Sequence, residues 1–404
     1  MRYKTTLKIA VLFDMFGPYH LARLNALGEH TPTLGVEVSA RSKVYDWNPM
    51  QVDTAFERRT LFRASDSSEI TTTELAGRIG ETLSEWHPDV VFIPGWASRT
   101  AFASLRWAQA NRIPTVVMSE STRDDATRSP FKELVKRGMV GCFNAGFVGG
   151  RRSIGYLREL GMPEEAIFTG YNAVDNEFFA KGAATAREKS SLRESLGLPG
   201  RYFLASARFI TKKNLMGLLS AFEQFLSRRP ETDIDLVLLG DGEERTAIEK
   251  HRTELGLENR VLLPGFKQYD ELPAYYGLAD AFIHVSAVEP WGLVVNEAMS
   301  AALPVVVSRV CGCADDLVRT GENGFVVDHE NVDQIAEAMC RLEVSSPELL
   351  AAMGSRSWEI VQSVSPERFA GGACAAAETA LRRSPARSAL FRRLLPVVVA
   401  ERFR

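Results

Sequence analysis

The sequence predicts an α/β protein with two Rossmann-like, doubly wound domains. Short apolar runs recur along the chain without polar alternation, which is typical of strands buried on both faces of a parallel sheet. Segments with helical spacing separate these runs, so the chain alternates strands and helices with right-handed crossovers. Its 404 residues, 45% of them hydrophobic, are enough for two domains of ordinary size.

The first half opens with a strand, a glycine-containing loop and a helix, the usual first unit of a doubly wound domain. Residues 7–13 are the apolar strand, Gly17 and Pro18 lie in the loop, and residues 20–28 carry leucines on one helical face. Residues 46–68 have neither pattern and are predicted to form an irregular loop. The other elements predicted here are strands at 34–40, 89–94, 114–118, 145–149 and 167–169 and helices at 70–86, 101–111, 131–137 and 155–160.

A second α/β series follows a polar stretch that lacks the apolar pattern. The predicted organisation is an N-terminal domain over residues 1–180, a linker over 181–191, a second domain over 192–365 and a C-terminal helical segment over 366–404. The second series has strands at 201–206, 234–239, 261–263, 281–285, 305–308 and 324–327 and helices at 214–227, 245–255, 271–277, 293–303, 332–342 and 347–361.

The chain ends in a basic segment. Residues 382–404 contain seven arginines and one glutamate, mixed with apolar residues. Two interpretations stay open: the segment packs back across the domains as a helix, or it meets anionic lipid as a basic surface segment. The second interpretation implies peripheral contact with the inner face of the membrane.

Charge and cysteine content narrow the class of protein. The formal net charge is -3, which gives no reason to expect a nucleic-acid partner. The five cysteines are scattered and favour a reducing compartment, and no metal site is expected because only Cys311 and Cys313 are close. No apolar run approaches the roughly 18 residues of a membrane helix, and the chain begins without the apolar length of a signal peptide. A cytoplasmic protein is expected.

Two glutamates frame the most informative stretch. Glu289 precedes a turn that enters a predicted helix, and Glu297 lies within that helix. The free amides of Gly292, Leu293 and Val294 at the helix start suit a phosphate. One carboxylate before the helix and one within it could flank a ligand that carries phosphate and hydroxyls, such as a nucleotide sugar. The alternative is a buried amphipathic helix with two solvated glutamates.

Two further strand ends of the same half carry suitable groups. Arg208 and Lys213 follow the strand at 201–206, and two cations there can neutralise a diphosphate. The run Gly240, Asp241 and Gly242 follows the next strand and would let backbone approach a ligand. Taken singly, the first is a solvated basic turn and the second an ordinary turn. Carboxyl ends of parallel strands share one edge, however, so the three groups should converge.

The stretch from 289 to 304, EPWGLVVNEAMSAALP, resembles the Glu-x7-Glu signature of the retaining family 4 glycosyltransferases. The likeness includes the cation pair, the Gly240 to Gly242 run and the sequence NGFVV at 323–327. Residues 170–175 are similar to the family's hinge segment, with Ala173 where glycine is usual. The family has the GT-B fold, in which two Rossmann-like domains face across a cleft. Gly17-Pro18 and Cys311-Gly312-Cys313 depart from the family's paired glycines.

The resemblance implies a role for each matching residue. Arg208 and Lys213 would hold the donor diphosphate with the helix amides, Glu297 would bind the ribose, and Glu289 would contact the transferred sugar. Phe266, in the segment 265–268, would lie near the base. In the first domain, which would bind the acceptor, Phe16 and Gly17 would approach the donor phosphate.

Polar residues at strand ends of the first half are the acceptor-side candidates. His20 follows the first strand and suits proton handling, or it is a helix-start histidine bonded to backbone. Glu120, Arg123, Asp124 and Asp125 form a polar cluster that could bind a hydroxyl- or amine-bearing acceptor, or they form a solvated loop. Trp96 also lies at a strand end and is a further acceptor candidate.

The function expected from this resemblance is hexosyl transfer from a nucleotide sugar, UDP-linked, to a hydroxyl acceptor with retention of configuration. Negative charge grows on the leaving diphosphate, and the cations and amides can stabilise that charge without a metal or cofactor. The donor is a substrate. The alternatives are a sugar-nucleotide epimerase of the same fold and a non-catalytic nucleotide-sugar-binding protein.

Overall fold

The computed structural model describes residues 6–40, 54–63 and 70–384, and these form two compact units. The first unit holds the described residues up to Ala173 together with those from Pro366 onward, and the second is Val174–Ser365. The division at residue 173 falls within the segment that resembles the family's hinge. Each unit is an α/β fold around one parallel sheet, which confirms the predicted fold class.

The first unit has a sheet of seven strands in the order β3-β2-β1-β4-β5-β6-β7, and the strand pairs are parallel. Its elements are β1 (Ile9–Phe13), α1 (Pro18–His30), β2 (Thr33–Ser39), β3 (Glu57–Phe62), α2 (Thr72–Trp86), β4 (Val90–Pro94), α3 (Arg99–Asn111), β5 (Thr115–Ser119), α4 (Pro130–Val140), β6 (Ala145–Val148), α5 (Arg151–Glu159) and β7 (Ile167–Thr169).

Strand β3 corrects the prediction of an irregular loop for part of residues 46–68. It pairs with β2 at the sheet edge, with Leu34 opposite Glu57. An edge strand can keep polar side chains in solvent, so it lacks the apolar run that marks the inner strands. Arg58 on β3 binds the carboxylate of Glu37, which is buried, at 2.8 Å.

The second unit has a sheet of six parallel strands in the order β10-β9-β8-β11-β12-β13. Its elements are α6 (Asn176–Glu188), α7 (Leu192–Ser195), β8 (Arg201–Ser206), α8 (Leu215–Arg228), β9 (Ile234–Leu239), α9 (Arg245–Glu254), β10 (Val261–Gly265), α10 (Leu272–Gly277), β11 (Ala281–His284), α11 (Leu293–Ser300), β12 (Val305–Ser308), α12 (Ala314–Leu317), β13 (Gly324–Val327), α13 (Val332–Glu343) and α14 (Pro347–Val361).

Helix α6 differs from the predicted linker, because residues 181–188 belong to it. The Asp175 carboxylate caps the helix by accepting from the Phe178 amide at 2.9 Å. The helix packs closely on α10: a Cβ at Gly182 would lie 2.4 Å from Pro273 Cβ. Phe179 and Tyr276 also pack across this contact, with ring centroids 5.7 Å apart. Over residues 181–188, however, the buried residues are small, so the sequence shows no large apolar stripe there.

The C-terminal helix α15 (Pro366–Arg382) belongs to the first unit and packs against α1. It buries one apolar face in the core of that unit, formed by Phe369, Ala370, Ala373, Ala376, Ala377 and Ala380. The basic tail beyond residue 384 lies outside the described residues. Within the described part of the chain, no helix is both long and apolar enough to cross a membrane.

Candidate functional site

The strand order of the second unit identifies one edge as the place for a ligand. From β8 the chain passes outward to β9 and β10, and from β11 it passes outward on the other side to β12 and β13. Strands β8 and β11 are therefore neighbours at the point where the order reverses. Ligands of open parallel sheets bind beyond the carboxyl ends of the strands at such a point.

The loops that follow β8 and β11 are tied together by backbone and amide hydrogen bonds. The amide of Ala287 donates to the Lys212 carbonyl at 2.8 Å. The side-chain amide of Asn214 donates to the carbonyls of Val285 and His329, at 3.2 and 2.8 Å. Asn214 adopts φ 53°, a left-handed conformation that asparagine tolerates. These contacts bring Lys213 beside the Glu289 loop.

Glu289 is the centre of a buried polar cluster at this edge. Its Oε2 atom pairs with the Lys213 ammonium and lies 3.1 Å from His284 Nε2. Burial alone would raise the pKa of the carboxyl, but the hydrogen bond from His284 and the charge of Lys213 lower it to about 2. Glu289 is therefore ionised at neutral pH.

His284 is the last residue of β11 and only 4% of it is exposed. Burial lowers its pKa against the opposing influence of Glu289, so the imidazole is neutral at pH 7. An ionised carboxylate can only accept a hydrogen bond. His284 Nε2 therefore carries the ring proton, and its N–H donates a hydrogen bond to Glu289. Ser286 Oγ lies 3.2 Å from the same ring nitrogen.

Helix α11 begins beside this cluster. Gly292 adopts φ 104°, and a Cβ there would lie 3.4 Å from Glu289 Cγ. Within the described chain, the amides of Gly292, Leu293 and Val294 have no hydrogen-bond partner, and Leu293 and Val294 are only half-buried. The three amides predicted to receive phosphate thus have free donors next to Lys213 and Glu289.

The loop after β12 packs against the Glu289 turn through backbone hydrogen bonds. The Gly312 amide donates to the Glu289 carbonyl at 3.0 Å, and the Cys313 amide donates to the Trp291 carbonyl at 3.1 Å. A Cβ at Gly312 would lie 1.8 Å from the Pro290 carbonyl oxygen, so only glycine fits. The segment Cys311-Gly312-Cys313 lacks the family's paired glycines but retains Gly312, the glycine that this packing requires. Burial raises the pKa of the Cys313 thiol well above its usual range.

Glu297, the second glutamate of the motif, is fully buried on α11. It accepts a hydrogen bond from the Tyr276 hydroxyl at 2.6 Å. Burial and the neighbouring carboxylate raise the pKa of Tyr276 well above its usual range, so the phenol keeps its proton. The two glutamates therefore differ: Glu289 lies beside the helix amides, whereas Glu297 is enclosed beneath them. Neither matches the alternative of a solvated glutamate.

The glycine run after β9 packs against the loop after β8. A Cβ at Gly240 would lie 1.8 Å from the Ala207 carbonyl oxygen, and a Cβ at Gly242 would lie 2.5 Å from that of Phe209. The close approach that these glycines allow is thus to the neighbouring loop. Asp241 is exposed and its carboxylate pairs with Arg245 at 3.4 Å.

Arg208 and Phe266 complete the predicted donor residues. Arg208 follows β8 and is exposed, and Phe266 follows β10 with 39% of its surface exposed. Both lie past the carboxyl ends of strands at the edge that carries Lys213 and Glu289. The sheet therefore places every predicted donor residue of the second unit along one edge, except that Glu297 is enclosed.

In the first unit, His20 fits the interpretation of a helix-start histidine. Its Nδ1 atom accepts from the Gly17 amide at 2.9 Å, and its ring packs on Phe13 with centroids 4.2 Å apart. Burial, with a smaller contribution from Arg23, lowers its pKa to about 3. A neutral imidazole of this kind offers Nε2–H as a donor and is a weak base at pH 7. Phe16 is buried beside Gly17 and donates its amide to Glu37 at 3.0 Å.

The other first-unit candidates do not form one polar cluster. Trp96 is buried in the core, with its ring centroid 6.3 Å from that of Tyr156. Arg123 is exposed and pairs with Glu159, and Asp124 is exposed in the loop after β5. Glu120 is half-buried at the end of β5. Trp96 is thus a core residue, and the Arg123 and Asp124 side chains fit the solvated-loop interpretation.

His284 and Ser286 are the site residues that the sequence alone did not single out. The available signal was a histidine at the end of the apolar strand AFIH, five positions before Glu289. A histidine inside an apolar run is normally interpreted as a core residue unless its hydrogen-bond partner is known. Its importance comes from a contact that only the folded loop creates.

Comparison with known proteins relates part of this chain to a known family. Residues 187–358 match the family described as glycosyl transferases group 1. The chain is 31% identical over 182 residues to an uncharacterized glycosyltransferase of Methanocaldococcus jannaschii, covering 45% of each protein. It is 34% identical over 145 residues to mannosylfructose-phosphate synthase of Agrobacterium fabrum, covering 34% of this chain and 31% of the relative. The matches span less than half the length of these two curated relatives.

Solved structures resemble nearly the whole chain. Anabaena HepE in complex with UDP and glucose gives a TM-score of 0.70 at 19% identity, covering 91% of this chain and 98% of that chain. Sucrose-phosphate synthase from Thermosynechococcus elongatus gives 0.71 at 19% identity, covering 90% and 96%. At such identities the likeness concerns the fold. Over residues 187–358, therefore, this chain is similar to the glycosyl transferases group 1, and its fold is one that solved glycosyltransferase structures share.

Proposed function

We propose that this protein is a glycosyltransferase that moves a hexose from a nucleotide sugar to a hydroxyl acceptor with retention of configuration. The observation that carries the proposal is the convergence of Lys213, Glu289 and the three free amides of α11 where the strand order reverses. A cation and a helix N-terminus suit the diphosphate of the donor. The ionised carboxylate of Glu289 suits the hydroxyls of the transferred sugar.

The proposed chemistry rests on charge stabilisation. As the bond from sugar to phosphate breaks, negative charge grows on the leaving diphosphate, and preorganised donors lower the barrier most. Lys213, Arg208 and the α11 amides would supply those donors. The acceptor hydroxyl would form the new bond to the anomeric carbon on the face from which the diphosphate departs, and attack on that face gives retention. Its proton would pass to an oxygen of the departing phosphate. No metal and no cofactor enter this scheme.

The proposed identity of the donor rests on a structural relative and on the surroundings of Phe266 and Glu297. A uridine diphosphate sugar is proposed because the solved structure of Anabaena HepE, which has a similar fold, contains UDP and glucose. Phe266, half-exposed past β10, would lie near the base. The resemblance assigns Glu297 to the ribose; because its carboxylate is enclosed on α11 and accepts from Tyr276, this contact would require the side chain to become accessible when the donor binds.

The acceptor and the location are proposed more broadly. A hydroxyl-bearing acceptor of unspecified type would bind to the first unit, and the protein would act in the cytoplasm. The basic tail from residue 385 would provide peripheral contact with an anionic membrane surface. Removal of residues 387–404 should abolish cosedimentation with phosphatidylglycerol vesicles. Unchanged cosedimentation would remove the tail from this proposal.

The test of function is product formation from a panel of nucleotide sugars with a hydroxyl acceptor, followed by NMR of the new anomeric centre. Lys213→Ala and Glu297→Ala should each lower transfer by about tenfold or more. Lys250→Ala, at a lysine on α9 that is 77% exposed and pairs with Glu254, should not. Formation of an isomerised nucleotide sugar from donor alone would instead support an epimerase. Binding without turnover would support a non-catalytic protein.

A further inference from the structure

Two donors converge on one oxygen of the Glu289 carboxylate. His284 Nε2 lies 3.1 Å from Oε2, and the Lys213 ammonium pairs with the same Oε2 atom. Oε1 has no hydrogen-bond partner among the residues that the structure describes. The side chain of Glu289 is only 12% exposed, so its orientation is set by these two partners. One oxygen is thus held while the other is left for a further contact.

The two partners differ in what a diphosphate would do to them. Lys213 carries a flexible ammonium, 18% exposed, at the edge where the α11 amides point. A phosphate bound by those amides would compete with Glu289 for this ammonium, because both are anions. His284 is neutral, nearly fully buried and anchored on a strand. A neutral ring donor has little attraction for phosphate and would stay with the carboxylate.

We propose that His284 is a positioning residue that holds Glu289 in place for the transferred sugar when Lys213 turns from Glu289 to the donor diphosphate. This inference rests on the proposed function of the same edge. The strand fixes the ring: it stacks on Phe282 with an interplanar angle of 13° and centroids 6.1 Å apart. Ser286 Oγ lies 3.2 Å from the same nitrogen.

The charged and titratable groups around Glu289 limit what else could hold it. Lys213 comes from the loop after β8, His284 from β11 and the buried Cys313 thiol from the loop after β12. Burial raises the pKa of that thiol, which therefore stays neutral. With Lys213 bound to phosphate, His284 remains as the strong donor to the carboxylate within this set.

The test compares three substitutions at one buried position. Gln can place its Nε2 donor close to the position of the imidazole Nε2, whereas Asn is too short to reach it and Leu has no donor. His284→Gln should keep kcat within about threefold of the wild-type value. His284→Asn and His284→Leu should lower kcat by about tenfold or more, as expected for a misplaced group that binds the reacting sugar. Affinity for free UDP should stay within about threefold in all three variants, because UDP has no hexose.

The pH profile provides a second readout that a purely structural role would not produce. Loss of the donor should raise the pKa of Glu289, so the acid limb of kcat/KM should move upward in the Asn and Leu variants and stay in place in Gln. Equal kcat and equal acid limbs in all three variants would overturn the inference. So would equal losses in all three that accompany weaker UDP binding. If the wild-type protein transfers no sugar at all, the proposed function fails first and by a separate observation.

Discussion

Substitution of Lys213 by methionine should destabilise the second unit in a way that depends on pH. The change keeps most of the side-chain volume but removes the ammonium that pairs with Glu289. The side chains of Lys213 and Glu289 are only 18% and 12% exposed, so the carboxylate would be left largely buried beside a neutral histidine. Removing one partner of a buried ion pair costs about 3–5 kcal/mol.

The pKa of Glu289 gives a second value for the stability that the pair with Lys213 contributes. Its carboxyl pKa is lowered from 4.5 to about 2, although burial alone would raise it. That difference corresponds to about 3 kcal/mol of stability at neutral pH. Lys213 is one of the two groups responsible, after the hydrogen bond from His284. The first value is about 3–5 kcal/mol and the second, in which His284 has a share, is somewhat less than about 3 kcal/mol, so a loss of about 3 kcal/mol is expected.

The sign of the pH effect follows from linkage. A lowered folded-state pKa contributes stability that is present above the unfolded value of 4.5 and is lost as the pH falls toward about 2. The variant should therefore be less stable than the wild type at pH 7, and the gap should narrow below pH 4.5 as Glu289 becomes protonated.

The assay is hydrogen exchange in increasing urea, read on peptides of β11 and α11, so that the second unit is followed by itself. Lys250→Met is the matched control: this lysine is 77% exposed, and its pair with Glu254 should contribute less than about 0.5 kcal/mol. If wild type and Lys213→Met have the same free energy of unfolding at pH 7, or if their difference stays constant down to pH 3, the pair of Lys213 and Glu289 does not stabilise the unit as described.

Three further predictions concern separate parts of the structure. In urea unfolding, Gly240→Ala should destabilise the second unit by at least about 2 kcal/mol, because the new Cβ would clash with the Ala207 carbonyl. Gly256 is also left-handed but has open space around it, so Gly256→Ala should cost only about 1 kcal/mol. The NMR signals of His20 should not titrate between pH 5 and 8, since its pKa is about 3; a midpoint near 6.5 would contradict the buried geometry. Transfer activity should survive excess EDTA, measured with and without added Mg²⁺; its loss on chelation and return with Mg²⁺ would contradict the metal-independent scheme.

The fold was largely predictable because inner strands of parallel sheets are continuous apolar runs. The strands at 234–239, 305–308 and 324–327 have the predicted bounds. The sequence did not predict β3, because an edge strand keeps its polar side chains. It did not predict α6 over residues 181–188 either, because the buried residues in that part of the helix are small.

The candidate site was predictable in composition and less so in geometry. Motif and strand-end reasoning brought Lys213, Glu289 and Gly292 to one edge, where the structure also places them. The roles of the two glutamates were harder to separate, since spacing alone does not show that Glu297 is enclosed. His284 escaped notice because its contact with Glu289 depends on how the loop after β11 folds back.

The most direct test of the diphosphate site is calorimetric binding of UDP and of uridine to the wild type and to Lys213→Ala. The two ligands share the base and ribose and differ in the diphosphate. If Lys213 and the α11 amides hold that group, the substitution should weaken UDP binding by about tenfold or more and leave uridine binding within about twofold. Lys250→Ala should change neither affinity. Unchanged UDP affinity in Lys213→Ala, or an equal loss for both ligands, would contradict the assignment of this edge as the donor site.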